Sequence, residues 1–339
     1  MSKYEKRYRL SMIILFALLV LLVSFSFTKG RFDITVKEIF SSIYKKTRGI
    51  KLEDKTIEGV LFNVRLPRIV FAILIGAALS ISGACYQGIF KNPLVSSNVI
   101  GASSGAAFGA AIAILLGFSS SFISIFAFLW ALLAVILVYV IGNRFRVDPI
   151  LGLVLTGIMI SSIFNSGLSF IKLIADPMDQ LPQITYWLMG SLSATETKDI
   201  LPTFIIMIIA SIPIFLSRWH LNLLTLEDEE AITMGVNVKR LRMIILLSAT
   251  LLTASSIAIS GMIGWVSLAI PHFARLLVGS DYRKLIPVSA VFGSVFLLVV
   301  DNISRLSFSA EIPLGIITSL IGAPFFLFLL YREGRDNDA

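Results

Sequence analysis

Ten apolar runs, most of them close to the roughly 20 residues a helix needs to cross a bilayer, follow one another along the chain. They occupy residues 10–27, 67–89, 98–117, 121–142, 149–171, 200–217, 242–261, 264–278, 286–306 and 313–331. Within lipid every backbone N–H and C=O must be satisfied inside the protein, and runs of this length do so as helices. An all-α polytopic membrane protein of about ten transmembrane helices is therefore expected, with the 264–278 run the shortest. Of the 339 residues 56% are hydrophobic and 15% charged, which leaves no room for a separate soluble domain. The net charge of +8 is spread over short segments between the runs, so it reads as anchoring and topology rather than as a nucleic-acid surface. The basic start followed by Leu10–Phe27 lacks a small-residue cleavage site and reads as a retained first helix.

Ten crossings return the C-terminus to the side of the N-terminus. With both ends cytoplasmic, the inner segments hold most Lys and Arg outside the first long loop, among them Lys91, Arg144, Arg218, Lys239, Arg240 and Arg283. The first loop, residues 29–64, breaks the pattern, with eight basic residues between Lys29 and Lys55 on the external side.

Two stretches repeat. I-S-G-A-C-Y-Q-G-I-F-K-N-P, with Gly83 and Pro93, matches I-S-G-M-I-G-W-V-S-L-A-I-P, with Gly261 and Pro271, at the same spacing. D-P-I-L-G-L-V-L-T-G from Asp148 is echoed by E-I-P-L-G-I-I-T-S-L-I-G from Glu311. The copies start on opposite sides of the membrane, as in inverted-repeat transporters. Gly101, Gly105 and Gly109 form two G-x-x-x-G steps, a flat stripe that suits close helix packing or the lining of a path.

No G-x-x-x-x-G-K-[ST] phosphate loop, HExxH motif or G-x-S-x-G elbow is present, so neither ATP binding of that kind nor a recognisable catalytic centre is expected. Cys85 is alone, which excludes an internal disulfide and a multi-thiolate metal site. Asp301 and Arg305 lie four apart on one helical face near the outer end of their span and can neutralise each other. No other span carries a mid-helix acid of the kind ion coupling uses. Residues 221–242 form the longest inner segment, in which Glu227, Asp228, Glu229 and Glu230 open a short helix that closes at Gly235 before Lys239 and Arg240. A soluble motor could grip such a charged helix. The R-L-P-R stretch, Arg65 to Arg68, reads as a helix start with Pro67 in the first turn.

From about residue 60 to 332 the ordered motifs R-L-P-R-I-V-F-A, G-A-S-S-G-A, Y-W-L-M-G-S-L-S, A-I-T-M-G-V-N-V-K-R-L-R, I-S-G-M-I-G-W-V-S-L-A-I-P-H-F-A-R and E-I-P-L-G-I-I-T-S-L-I-G-A-P-F-F resemble the FecCD-type permeases of ABC importers for iron-siderophores, haem and vitamin B12. The resemblance implies a transport subunit, not an enzyme, in the cytoplasmic membrane. It implies pairing with a second permease, identical or related, with cytoplasmic ATPases that hold ATP and Mg, and with an external substrate-binding protein. It also implies that Arg65, Arg68 and Arg305 meet acidic residues of the binding protein. Glu227, Asp228, Glu229, Glu230, Ala231, Gly235, Lys239 and Arg240 would form the ATPase coupling segment, although Glu227 stands where the family usually has glycine. No metal or cofactor is expected on the chain itself. A ferric-siderophore chelate is the expected cargo, with haem or cobalamin as the alternative. An ion-coupled carrier and a lipid-modifying enzyme are the rivals from other classes.

Overall fold

The computed structural model describes residues 3–30, 32–48, 55–144, 148–307 and 310–337, the side chains of residues 3, 4, 47 and 328–337 excepted. All regular structure among them is helical. Each of the ten apolar runs becomes one helix: α1 Lys3–Thr28, α4 Leu66–Ile89, α5 Ala102–Leu115, α6 Ser120–Gly142, α7 Pro149–Ile174, α9 Ile200–Leu216, α12 Val238–Ser260, α13 Val266–Val278, α14 Tyr282–Leu306 and α15 Leu314–Asn337. Between them lie α2 Val36–Thr47, α3 Lys55–Glu58, α8 Gln180–Met189, α10 His220–Leu224 and α11 Asp228–Thr233.

The expected repeat reaches the whole architecture. The succession α4, α5, α6, α7 has 24, 14, 23 and 26 residues, and α12, α13, α14, α15 has 23, 13, 25 and 24. The packing repeats too: α4 lies on α14 and α13 as α12 lies on α6 and α5, and α4 meets α12 between the units. Such swapped pairing is what a two-fold axis relating two inverted units produces. At 1.5 Å per residue α5 and α13 are about 20 Å long, short of a bilayer's roughly 30 Å core. Irregular chain at 90–101 and 261–265 precedes them, and such backbone is tolerated at depth only where protein covers it.

Two helices form the centre. Most of α4 and α12 is buried, whereas α1 and α9 turn most of their apolar surface outward. On α4, Gly76 comes so close to Gly293 of α14 that a Cβ on either would overlap the other's carbonyl oxygen. Close backbone approach of this kind is how membrane helices gain packing where apolar burial gives no preference over lipid.

Side-chain bonds fix the helix directions. Lys284, at the start of α14, pairs with Glu5 of α1 at 3.3 Å, and near their other ends Asn302 Nδ2 donates to Ser26 Oγ at 2.7 Å, so α1 and α14 are parallel. Arg68 at the start of α4 meets Asp301 near the end of α14, so these two are antiparallel. The molecule therefore has an Arg68 end and an Asp228 end.

The 29–64 segment differs from the open loop expected there. Thr35 and Glu38 make a capping box that starts α2, and α3 continues through a π-helical stretch, Gly59–Arg65, directly into α4. Pro67 is thus in the first turn of α4, as expected, but that turn continues a helix already begun. Its missing N–H and its ring disturb the preceding turn, and the wider i→i−5 bonding there, with Leu66 N–H on Leu61 O, accommodates the defect. Arg31 and residues 49–54 of that segment lie outside the described residues.

Candidate functional site

At the Asp228 end, the sequence chemistry folds as its capping pattern suggests. Glu227, extended, precedes α11, the acids occupy its first turn, and Gly235 with φ +82° ends it by a left-handed turn that favours glycine. Asn237 then caps α12 through the Arg240 N–H at 3.0 Å. The helix is two-faced. Asp228 and Ala231 turn toward the protein, while Glu227, Glu229, Glu230, Lys239 and Arg240 are exposed. Ile232 and Met234 are also exposed, 60% and 59%, which makes this surface apolar as well as acidic. Sequence reasoning weighed only the charges and missed that pair.

Asp228 is the exception among the acids. Its two carboxylate oxygens accept from Arg242 Nη2 at 2.9 and 3.0 Å, and Lys91 Nζ donates to Oδ1 at 3.3 Å. Partial burial works to raise its pKa, but Arg242 and then Lys91 outweigh it and hold the carboxyl below its ordinary value.

At the opposite end the three arginines converge, though not on an open surface. Arg65 and Arg68 are each only 3% exposed. Arg68 Nε donates to Asp301 at 2.6 Å and its Nη1 to Glu311 at 2.7 Å, while Arg305 reaches Asp301 at 3.3 Å. Arg65 donates to the backbone carbonyls of Phe27 and Phe32. The expected Asp301–Arg305 pair is present, with Asp301 fully buried. Burial of Arg68 follows from the continuous helix: with α3 and the π-helical stretch ahead of it, R-L-P-R is inside the fold instead of at its edge. Glu311, legible only as part of the repeat, completes the cluster.

Gly105 and Gly109 pack against α6: a Cβ on Gly105 would lie 2.5 Å from the Trp130 carbonyl oxygen, and one on Gly109 2.6 Å from that of Phe126. Gly101, with φ +79°, precedes α5 and faces Ser161 of α7. The stripe is a helix interface.

The feature least suited to lipid lies on α7. Ser162, Asn165, Ser166 and Ser169 are exposed along the middle and second half of this apolar helix, beside exposed Ile158, Met159 and Ile163. The Ser162 and Ser169 hydroxyls bond back to their own helix, while the Asn165 amide makes no hydrogen bond among the described residues. A lipid-facing amide with no partner is costly, so this face is suited to water or to another protein surface. Toward the Arg68 end a chamber of about 720 Å³ opens between the starts of α6 and α9, the end of α12 and α8. Tyr186 and Trp187 wall it, with Glu196 and Asp199 as its charged residues and no Lys or Arg in its lining.

Two inverted four-helix units, a central helix pair and a short charged helix between spans define a multi-pass membrane permease of the ABC transporter type. The chain belongs to the FecCD transport family, whose pattern matches residues 18–332. It is 38% identical to the molybdate import system permease protein MolB of Haemophilus influenzae, over 95% of this chain and 96% of that one. It is 41% identical, over 83% and 85%, to a Helicobacter pylori protein described as an iron chelatin transport system permease. A solved structure described as an inward-facing metal-chelate type ABC transporter superposes with a TM-score of 0.84 at 38% identity, covering 95% of this chain and 98% of that one.

Proposed function

We propose that the chain forms half of a pore in the cytoplasmic membrane, both termini inside, and passes a ferric chelate inward when a partner ATPase works on its Asp228 end. The observation that carries this reading is the exposed uncharged polar face of α7, which needs a second permease subunit or a water-filled path to cover it. Hydroxyl and amide groups without fixed charge suit a bulky chelate that must be released as readily as it enters. The surface of Glu229, Glu230, Ile232 and Met234 suits an ATPase groove.

The Arg68 end is where an external binding protein would land. Three arginines face Asp301 and Glu311 there, with Asp33 near Arg65 paired to Lys29, which leaves positive charge for an acidic partner. Burial divides their work: Arg65 and Arg68 hold the surface together, and Arg305 is nearest to contact. Haem or cobalamin is the alternative cargo.

Cysteine labelling tests the carrying observation. Asn165→Cys in a Cys85→Ser background should react in intact membranes with a water-soluble thiosulfonate, and the reaction should change when the ATPase is bound. A thiol as inert as one placed at lipid-facing Ile208 would refute a path along α7.

A further inference from the structure

We infer that Asp228 is a positioning residue of this transporter: it fixes the helix gripped by the ATPase to both central helices, to α12 through Arg242 and to the end of α4 through Lys91, so that movement of α11 is passed to the Arg68 end. The inference rests on the reading of residues 227–240 as the ATPase grip.

Three observations meet at this carboxylate. First, it is the only acid of its cluster turned toward the protein and engaged by cations: Arg242, whose side chain is 5% exposed, and Lys91. Among the described residues Arg242 pairs with no other carboxylate, and its Nε is buried without a hydrogen bond. Arg242 therefore depends on Asp228. Second, Lys91 is the left-handed residue, φ +50°, of the turn that ends α4, in which Asn92 N–H donates to Gln87 O and Lys91 N–H to Gly88 O, and from this fixed turn its side chain reaches Asp228. Third, α4 is poorly placed to absorb a push by sliding. Gly76 is locked against Gly293 of α14, Gly83 against the Ser267 backbone of α13, and Gln87 accepts from Arg275 of α13 at 2.5 Å. At its far end Arg68 holds both Asp301 of α14 and Glu311 just before α15. One helix thus joins the gripped segment to the charge cluster where a cargo-delivering protein would land. The exposed acids Glu227, Glu229 and Glu230 share the segment without this connection, so their role differs from that of Asp228.

The test uses hydrogen exchange on the purified permease and on the permease–ATPase complex, with a non-hydrolysable ATP analogue as the probe. In the permease alone, Asp228→Asn should lower protection of residues 228–234 at least about tenfold, the reduced scale expected for a partly exposed carboxylate serving a buried cation. Asp228→Glu should keep it. Asp228→Asn with Arg242→Gln should recover part of the loss, because no buried charge is then left unpaired. In the complex, the analogue should change exchange at residues 310–316 of the wild type, and Asp228→Asn should shrink that change at least about threefold while the ATPase stays bound. Unchanged protection of 228–234 in the permease alone would overturn the clamp. A loosened helix with an undiminished response at 310–316 would overturn transmission through it. Failure of the underlying reading looks different: the ATPase would bind equally well to a Glu229→Ala/Glu230→Ala permease.

Discussion

Arg68 shows how much one side chain's surroundings alter its meaning. Flanked by Leu66, Pro67 and an apolar run it reads as an exposed charge at a helix start, yet it bridges Asp301 and Glu311 almost out of contact with solvent. What hid this in the sequence is distance: its partners lie 233 and 243 residues away, beyond any local spacing rule. Arg68→Ala should therefore destabilise the protein by about 3–5 kcal/mol, since it leaves Asp301 buried beside a single remaining cation. Arg68→Met with Asp301→Leu should recover most of the loss in detergent unfolding curves, as apolar replacement of a buried pair is often close to neutral. Asp228 supplies a pH prediction. Its folded pKa is depressed, so its contribution is complete above the ordinary carboxylate value of 3.8 and is lost only as the pH falls through the lower folded value. Protection factors of residues 228–234 should stay constant from pH 8 to pH 5 and drop below about pH 4. A loss centred between pH 6 and 7 would point to a different group.

The helices themselves were far more legible than their roles. Every long apolar run corresponds to one helix because runs of that length have no other solution in lipid. α8 and α2 escaped notice because each is short and its apolar positions are interrupted by polar ones. The T-V-K-E box of α2 was nevertheless readable as a helix start. The short acidic helix α11 was visible through its capping residues, and the glycine stripe of α5 through its spacing. For α5 the structure decides between packing and path: Gly105→Val should force α5 from α6 and cost about 1–3 kcal/mol or more, read as lower thermal stability of the purified protein. On α7 the signal was the run S-S-I-F-N-S-G-L-S within an apolar helix, which gains meaning only when its face proves uncovered. Replacing Asn165 and Ser166 with Leu should leave insertion and stability intact and reduce ATP-driven transport at least about tenfold, as the lining becomes apolar. Equal transport would place the path elsewhere.

For the whole molecule, two inverted units packed around α4 and α12 make a frame with charge clusters at both ends and little fixed charge between them. The short repeated motifs were enough to suggest the inversion, but the exchange of packing partners between the units shows how far it extends. Such a frame has no phosphate loop, and its buried acid Asp301 is already paired with two arginines at one end, a position unsuited to carrying ions across. On the proposed reading the work comes from a partner ATPase. The most direct measurement is uptake of a ferric hydroxamate chelate into proteoliposomes holding the permease, its ATPase and its binding protein. The account predicts accumulation that requires ATP and all three components, and that stops when the ATPase is omitted or cannot hydrolyse nucleotide. Accumulation by the permease alone, driven by a proton gradient without nucleotide, would contradict it.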